Sequence, residues 1–162
     1  MRQAILGLAA AFAMGAGACA ATAAPYDVVE KSVAQLEADM TAGRTTAEAV
    51  TAAYLARIAA MNHTGPQLNA VIAVNPHALA DAAALDRERA AGHVRGPLHG
   101  VPILLKDNIE SADGTATTAG SLALADNVTN RDAPLVRRLT DAGAVILGKT
   151  NLSEWANIRS DH

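Results

Sequence analysis

The sequence predicts an α/β fold in which helices flank a β-sheet. Segments with apolar residues at helical spacing alternate with short, continuous apolar runs, and glycine or proline separates the two kinds of segment. The last such segments follow the order strand, helix, strand, which forms a right-handed crossover within one sheet. We therefore expect two parallel strands whose carboxyl ends face one crevice.

The first two helices are predicted from their start signals. Asp27 with Glu30 has the form of a capping box, and Thr45 with Glu48 repeats it. Apolar residues at helical spacing follow each signal, and Gly43 separates the two helices. Both helices should therefore pack one apolar face on the core.

A third helix is predicted over residues 77–91, and a fourth should begin at Asp132 as its cap. The packed side of this fourth helix is expected to consist of Leu135, Val136 and Leu139. Three strands are predicted over residues 70–74, 101–105 and 144–147. The last two strands would place Lys106 and Asp107 on the same rim of the sheet as 149–151.

Composition limits the classes of protein that the chain could belong to. It has 162 residues, a formal net charge of −3 and 51% hydrophobic residues, which suits one small domain and provides no basic patch for nucleic acid. The five histidines show no metal-binding spacing, so no metal or other cofactor is predicted. No stretch suits a stable membrane span, and the oligomeric state stays open.

The amino terminus is typical of a secretory signal peptide. Residues 1–23 contain a charged start, an apolar run and a small-residue cleavage site, so cleavage is expected near Ala23 and the protein should be exported to the periplasm or secreted. A lipid anchor on Cys19, the only cysteine, is a minor alternative.

Lys106 is the candidate catalytic residue that the sequence itself suggests. It ends the apolar run of the segment GPLHGVPILLKDN, residues 96–108, in which glycine and proline restrict the backbone on both sides. In such a run we expect Lys106 to be buried. Burial would lower the pKa of its amine and make it a base near neutral pH, whereas a solvated lysine just past the strand end is the alternative.

This segment, with TTAGS at 117–121 and DAPLVRRLTDAGAVILGKTNLSEWAN at 132–157, resembles the amidase signature family. The resemblance implies the amino-terminal portion of that fold, with a mixed sheet that is incomplete, and a partial amidase domain over 27–162. It also implies hydrolysis of a small-molecule amide by a nucleophilic serine, a cis-serine and a lysine, whose position Lys106 matches. Asp107 would be a supporting residue.

The resemblance places both serines in a Gly/Ser-rich segment, which we expect after His162. The chain by itself is therefore expected to be an inactive amino-terminal part of an amidase. An exported, non-catalytic binding module on the same framework is the alternative. The family acts on fatty, aryl and peptide amides and on glutaminyl-tRNA precursors, and the leader argues against the last of these.

Residues 143–150 match the phosphate-loop pattern G-x-x-x-x-G-K-T. A phosphate loop follows a strand and opens a helix, whereas here a helix precedes Gly143 and the intervening residues are themselves a strand. Nucleotide binding is therefore not expected.

Overall fold

The computed structural model describes residues 26–156. The predicted signal peptide, Cys19 and His162 lie outside this range. Within it, none of the helices has the length and apolar character needed to cross a membrane.

The described residues form four helices and three strands. The helices are α1 Val33–Thr41, α2 Ala47–Met61, α3 Ala78–Ala90 and α4 Pro134–Asp141, and the strands are β1 Val71–Val74, β2 Pro102–Lys106 and β3 Val145–Thr150. The order of these elements is the predicted one, which confirms the α/β class.

The three strands form one mixed sheet in the order β1-β3-β2. β2 and β3 are parallel, as the strand-helix-strand order predicts, and β1 is antiparallel to β3. Leu105 pairs with Lys149 and Lys106 with Thr150, so β2 and β3 end side by side. This pairing places the ends of the two strands, and the loops after them, on one rim.

Helices cover both faces of the sheet. On one face, residues of α1, α2 and α3 such as Leu36, Val50 and Leu85 form a core with Val145 and Leu147 of β3. On the other face, Val136 of α4 packs with Leu105 and Ile146 in a second cluster. Alternating side chains of β3 thus enter two different cores, as the pleat of a strand requires.

Two predicted helix starts are displaced. α1 begins later than expected, because Ser32 rather than Asp27 accepts a hydrogen bond from the N–H of Gln35, whose side chain completes the capping box. α2 is capped by Thr46, the neighbour of the predicted Thr45. Both side chains can cap, and the one whose oxygen reaches a free N–H determines where the helix starts.

The predicted cap of α4 is wrong. Ala133 is the N-cap residue, and Asp132 instead accepts a hydrogen bond from the N–H of Ala112 at 2.7 Å. Leu135, expected on the packed side, is 44% exposed, while Val136 is fully buried. Asp132 therefore stabilises the loop that precedes the helix rather than the helix itself.

Gly148 allows β1 to approach β3 closely. A Cβ atom at this position would lie 2.2 Å from the carbonyl oxygen of Ala73, well inside van der Waals contact. The second glycine of the phosphate-loop pattern is thus explained by strand packing.

Candidate active site

Lys106 is the last residue of β2, and its side chain is exposed. The prediction that Lys106 is buried is therefore wrong for this chain. Side chains alternate along a strand, so Leu105 enters the core while Leu104 and Lys106 point to the other face. Leu104 is itself 39% exposed, which shows how incompletely the described residues cover that face. The catalytic role of Lys106 stays a prediction.

Lys149 is the buried lysine of the rim. Sequence reasoning placed it beyond the strand end, but β3 continues through Thr150 and the side chain of Lys149 is fully buried. Its Nζ donates hydrogen bonds to the carbonyl oxygen of Ile109 at 2.9 Å and to Oγ1 of Thr117 at 3.0 Å. Burial lowers the pKa of Lys149, while the nearby carboxylates of Asp107, Asp113 and Glu110 oppose this shift.

Asp107 is fully buried and holds the loop that crosses the end of the sheet. Its Oδ2 accepts hydrogen bonds from the backbone N–H of Thr118 at 3.1 Å and from the Thr118 hydroxyl. Its carbonyl oxygen accepts from the N–H of Ala119 at 3.0 Å. Its Oδ1 lies 3.9 Å from Nζ of Lys149. The residue after Lys106 thus connects the strand end, the TTAGS segment and the buried lysine.

The chain after β3 completes the rim. The N–H of Asn151 donates to the carbonyl oxygen of Ala70 at 2.8 Å, and its Nδ2 donates to the carbonyl oxygen of Asn69 at 3.0 Å. Further on, the N–H of Trp155 donates to the carbonyl oxygen of Ala119 at 2.6 Å, and the indole is 59% exposed. The rim therefore combines an exposed amine, an exposed indole and a loop fixed by buried polar groups.

His99 of the GPLHG segment has a structural role. It is fully buried, and its Nδ1 accepts a hydrogen bond from the N–H of Arg95 at 3.1 Å. Its Nε2 lies 2.9 Å from the carbonyl oxygen of Leu85 and therefore carries the proton that it donates there. With both ring nitrogens used, His99 is not available as a ligand or a base.

No nucleotide cradle exists at residues 143–150. Val145–Thr150 forms β3, so its backbone groups take part in the sheet, and Lys149 is occupied by the loop. Within 26–156, no group of three or more histidine, cysteine, aspartate or glutamate residues is arranged to hold a metal ion.

Comparison with known proteins identifies the class. The profile of the Amidase family matches residues 49–161, and the chain belongs to this family. The structure is similar to that of native peptide amidase from Stenotrophomonas maltophilia, with a TM-score of 0.78 and 62% identity, over 81% of this chain and 26% of that one.

Two curated relatives agree with the family. A probable amidase of Arabidopsis thaliana is 41% identical over 158 residues, which are 96% of this chain and 30% of the relative. A glutamyl-tRNA(Gln) amidotransferase from Alkalilimnicola ehrlichii is 46% identical in one of its polypeptides over 128 residues, 78% of this chain and 25% of the relative. The chain thus spans less than a third of the length of these relatives.

Proposed function

We propose that this chain is the amino-terminal part of an amide hydrolase in which Lys106 is the terminal base of a Ser-cisSer-Lys relay. The observation that carries the proposal is the position of Lys106. It stands exposed at the carboxyl end of β2, beside a parallel strand, in a segment that matches the family's lysine motif. An open α/β sheet normally has its chemistry at this edge.

In the proposed reaction, the nucleophilic serine oxygen bonds to the amide carbon while its proton passes to the cis-serine and the proton of the cis-serine passes to the neutral amine of Lys106. The carbon–nitrogen bond then breaks, and the relay run in reverse protonates the departing nitrogen. Water cleaves the acyl-enzyme to give the acid and the free serine. The resemblance assigns both serines to sequence after residue 162.

The exposure of Lys106 has a direct consequence for this chemistry. A solvated lysine is an ammonium at neutral pH and has no lone pair with which to accept a proton. The relay therefore requires the rest of the catalytic domain to cover Lys106 and to favour its neutral form. We accordingly propose that the chain of residues 1–162 is inactive by itself.

Peptide amides are the substrate class we propose. The supporting observation is the 62% identity to a peptide amidase over 81% of the chain. The bond attacked would be the terminal carboxamide, with release of ammonia, and internal peptide bonds would stay intact. Export of the protein, if residues 1–23 act as a leader, would place this activity outside the cytoplasm.

The test begins with the coding sequence after His162. An in-frame Gly/Ser-rich continuation supports the proposal, and the protein that includes it should release ammonia from a peptide amide faster than from an aryl amide. Lys106→Ala should reduce this rate by at least about a hundredfold, because it removes the base. Lys31→Ala is the matched control at a distant lysine. Full activity of Lys106→Ala would contradict the relay.

The second candidate is an exported binding module without catalysis. The exposed side chain of Lys106 favours it, because the described residues provide no partner that could keep the amine neutral. A stop codon directly after His162, with binding but no hydrolysis of peptide amides, would support this alternative.

Export is also a proposal and rests on residues 1–23 alone. Mass spectrometry of the mature protein should give a mass that begins near Ala24. A lipid-modified amino terminus at Cys19 would instead support the anchored alternative, and an intact Met1 would contradict both.

A further inference from the structure

Lys149 is a fully buried lysine that the proposed relay does not use. It lies in β3 and pairs with Leu105 of β2, the residue directly before Lys106. Burial of an ammonium is unfavourable unless other groups replace the lost water. The contacts of its Nζ therefore indicate what the residue holds in place.

These contacts fix both arms of the loop that follows Lys106. Nζ donates to the carbonyl oxygen of Ile109 on the first arm and to Oγ1 of Thr117 on the second, with the carbonyl oxygen of Ala116 at 3.5 Å. The three N–H groups of a lysine ammonium match this set of acceptors. A single buried cation thus joins the start and the end of the loop.

The charge on Lys149 also balances a buried carboxylate. Oδ1 of Asp107 lies 3.9 Å from Nζ and receives no hydrogen bond from any residue between 26 and 156. Glu110 and Asp113 lie near enough to act on Lys149 as well, and Arg131 pairs with Glu110 at 2.8 Å. Asp107 therefore depends on Lys149 for its nearest positive charge within the described residues.

Asp107 in turn fixes the backbone on both sides of the peptide that follows Lys106. Its N–H donates to the carbonyl oxygen of Thr150 at 3.2 Å, and its carbonyl oxygen accepts from Ala119. The carbonyl oxygen of Lys106 accepts from the N–H of Ile109 at 2.9 Å. The direction in which Lys106 leaves the strand thus depends on the loop that Lys149 holds.

We propose that Lys149 is a positioning residue of the amide hydrolase: together with Asp107 it fixes the loop behind Lys106 and so the placement of the catalytic amine. This inference rests on the proposed function. Lys149 touches no reacting atom, and its contribution is geometric and electrostatic. A purely structural lysine would contribute to stability alone.

The first arm of the test uses the chain as it stands and measures amide hydrogen exchange. In Lys149→Met, the N–H groups of Thr118 and Ala119 should exchange at least about tenfold faster, because the loop loses its central contact. The N–H of Val50, which donates to Thr46 within α2 at 3.0 Å, should be unchanged. Unchanged exchange at Thr118 and Ala119 would overturn the proposal.

The second arm uses the active form of the protein. Lys149→Met should lower kcat by at least about tenfold with little change in KM, since small displacements of a catalytic group are costly. It should also move the acid limb of the kcat/KM profile to higher pH, because the unbalanced Asp107 carboxylate favours protonated Lys106. Adding Asp107→Asn should move the limb back, and Lys31→Met, which removes the partner of Asp39, should leave it in place.

The outcomes separate the two proposals. If Lys106→Ala is inactive but Lys149→Met keeps its kcat and its acid limb, the positioning role is overturned and the relay stands. If Lys106→Ala is fully active, the relay itself is overturned. Should Lys149→Met not fold, Thr117→Val removes a single acceptor of Nζ and should give smaller changes in the same directions. No change in that variant would count against the proposal.

Discussion

Asp39 shows at the scale of one residue how partners determine the behaviour of a charge. Its carboxylate accepts hydrogen bonds from the Tyr26 hydroxyl, from Nζ of Lys31 at 3.1 Å and from Nε of Arg44 at 2.8 Å. The Tyr26 hydrogen bond, followed by those of Arg44 and Lys31, holds the pKa of Asp39 well below its usual value. Because Tyr26 precedes α1, this residue also fastens the start of the described chain to the helix.

The lowered pKa predicts a pH-dependent stability. A carboxyl group that is more acidic in the folded state stabilises the fold above its unfolded pKa, and this contribution is lost as the pH falls through the folded pKa. Asp39→Asn should therefore unfold more easily than the parent at neutral pH, and the difference should narrow below about pH 4. Urea unfolding at a series of pH values measures this.

The control for this prediction is Asp126→Asn, which changes an exposed aspartate in a loop. Its free energy of unfolding should follow the parent across the whole pH series. A constant gap between Asp39→Asn and the parent from neutral to acidic pH would contradict the assigned cause.

At the scale of the element, α2 depends on a carboxylate from another helix. Oδ1 and Oδ2 of Asp86 in α3 accept hydrogen bonds from the N–H groups of Ala47 at 2.7 Å and Glu48 at 2.9 Å, which are the first two residues of α2. Thr46 supplies a second cap from within the chain segment itself. A negative charge at this end also opposes the helix dipole.

Loss of this contact should destabilise the protein. Asp86→Ala leaves the N–H groups of Ala47 and Glu48 without their acceptor and should lower the free energy of unfolding by about 1–2 kcal/mol, the usual effect of losing a cap. Denaturant unfolding followed by circular dichroism measures the change. Asp126→Ala should have almost no effect, and an equal loss in both variants would contradict the capping role.

At the scale of the whole molecule, both outer strands of the described sheet have a free edge. β1 and β2 each pair only with β3, and Ile72 and Val74 of β1 are each 41% exposed. An apolar strand edge is a template for pairing with another chain. We therefore expect the chain of residues 1–162 to associate with itself as its concentration rises.

Charges on this edge should prevent the association. The double variant Ile72→Lys and Val74→Lys should stay monomeric at concentrations at which the parent associates, as measured by light scattering. Val33→Lys is the matched control, because Val33 is 45% exposed but lies on α1 and not on a sheet edge. Equal suppression by the control would show that net charge, and not the edge, governs association.

The order of elements and the parallel pair β2 and β3 were predictable because they depend on local periodicity and on the handedness of chain crossovers. The same holds for the loop after Asn108, which Gly, Ser and Thr residues mark in the sequence. Helix starts were less predictable. Asp27, Thr45 and Asp132 all have side chains that can cap, and only the folded geometry selects Ser32 and Thr46 instead.

The sequence by itself determined the family, the α/β class and the position of Lys106 at a strand end, because motif spacing and periodicity are properties of the chain alone. Only the tertiary structure decided which lysine is buried. Burial depends on what packs against a side chain: Lys149 lies beneath a loop that supplies three oxygen atoms, whereas Lys106 projects from the opposite face of the sheet. The cap that Asp86 gives to α2 has the same origin, since it joins residues distant in sequence.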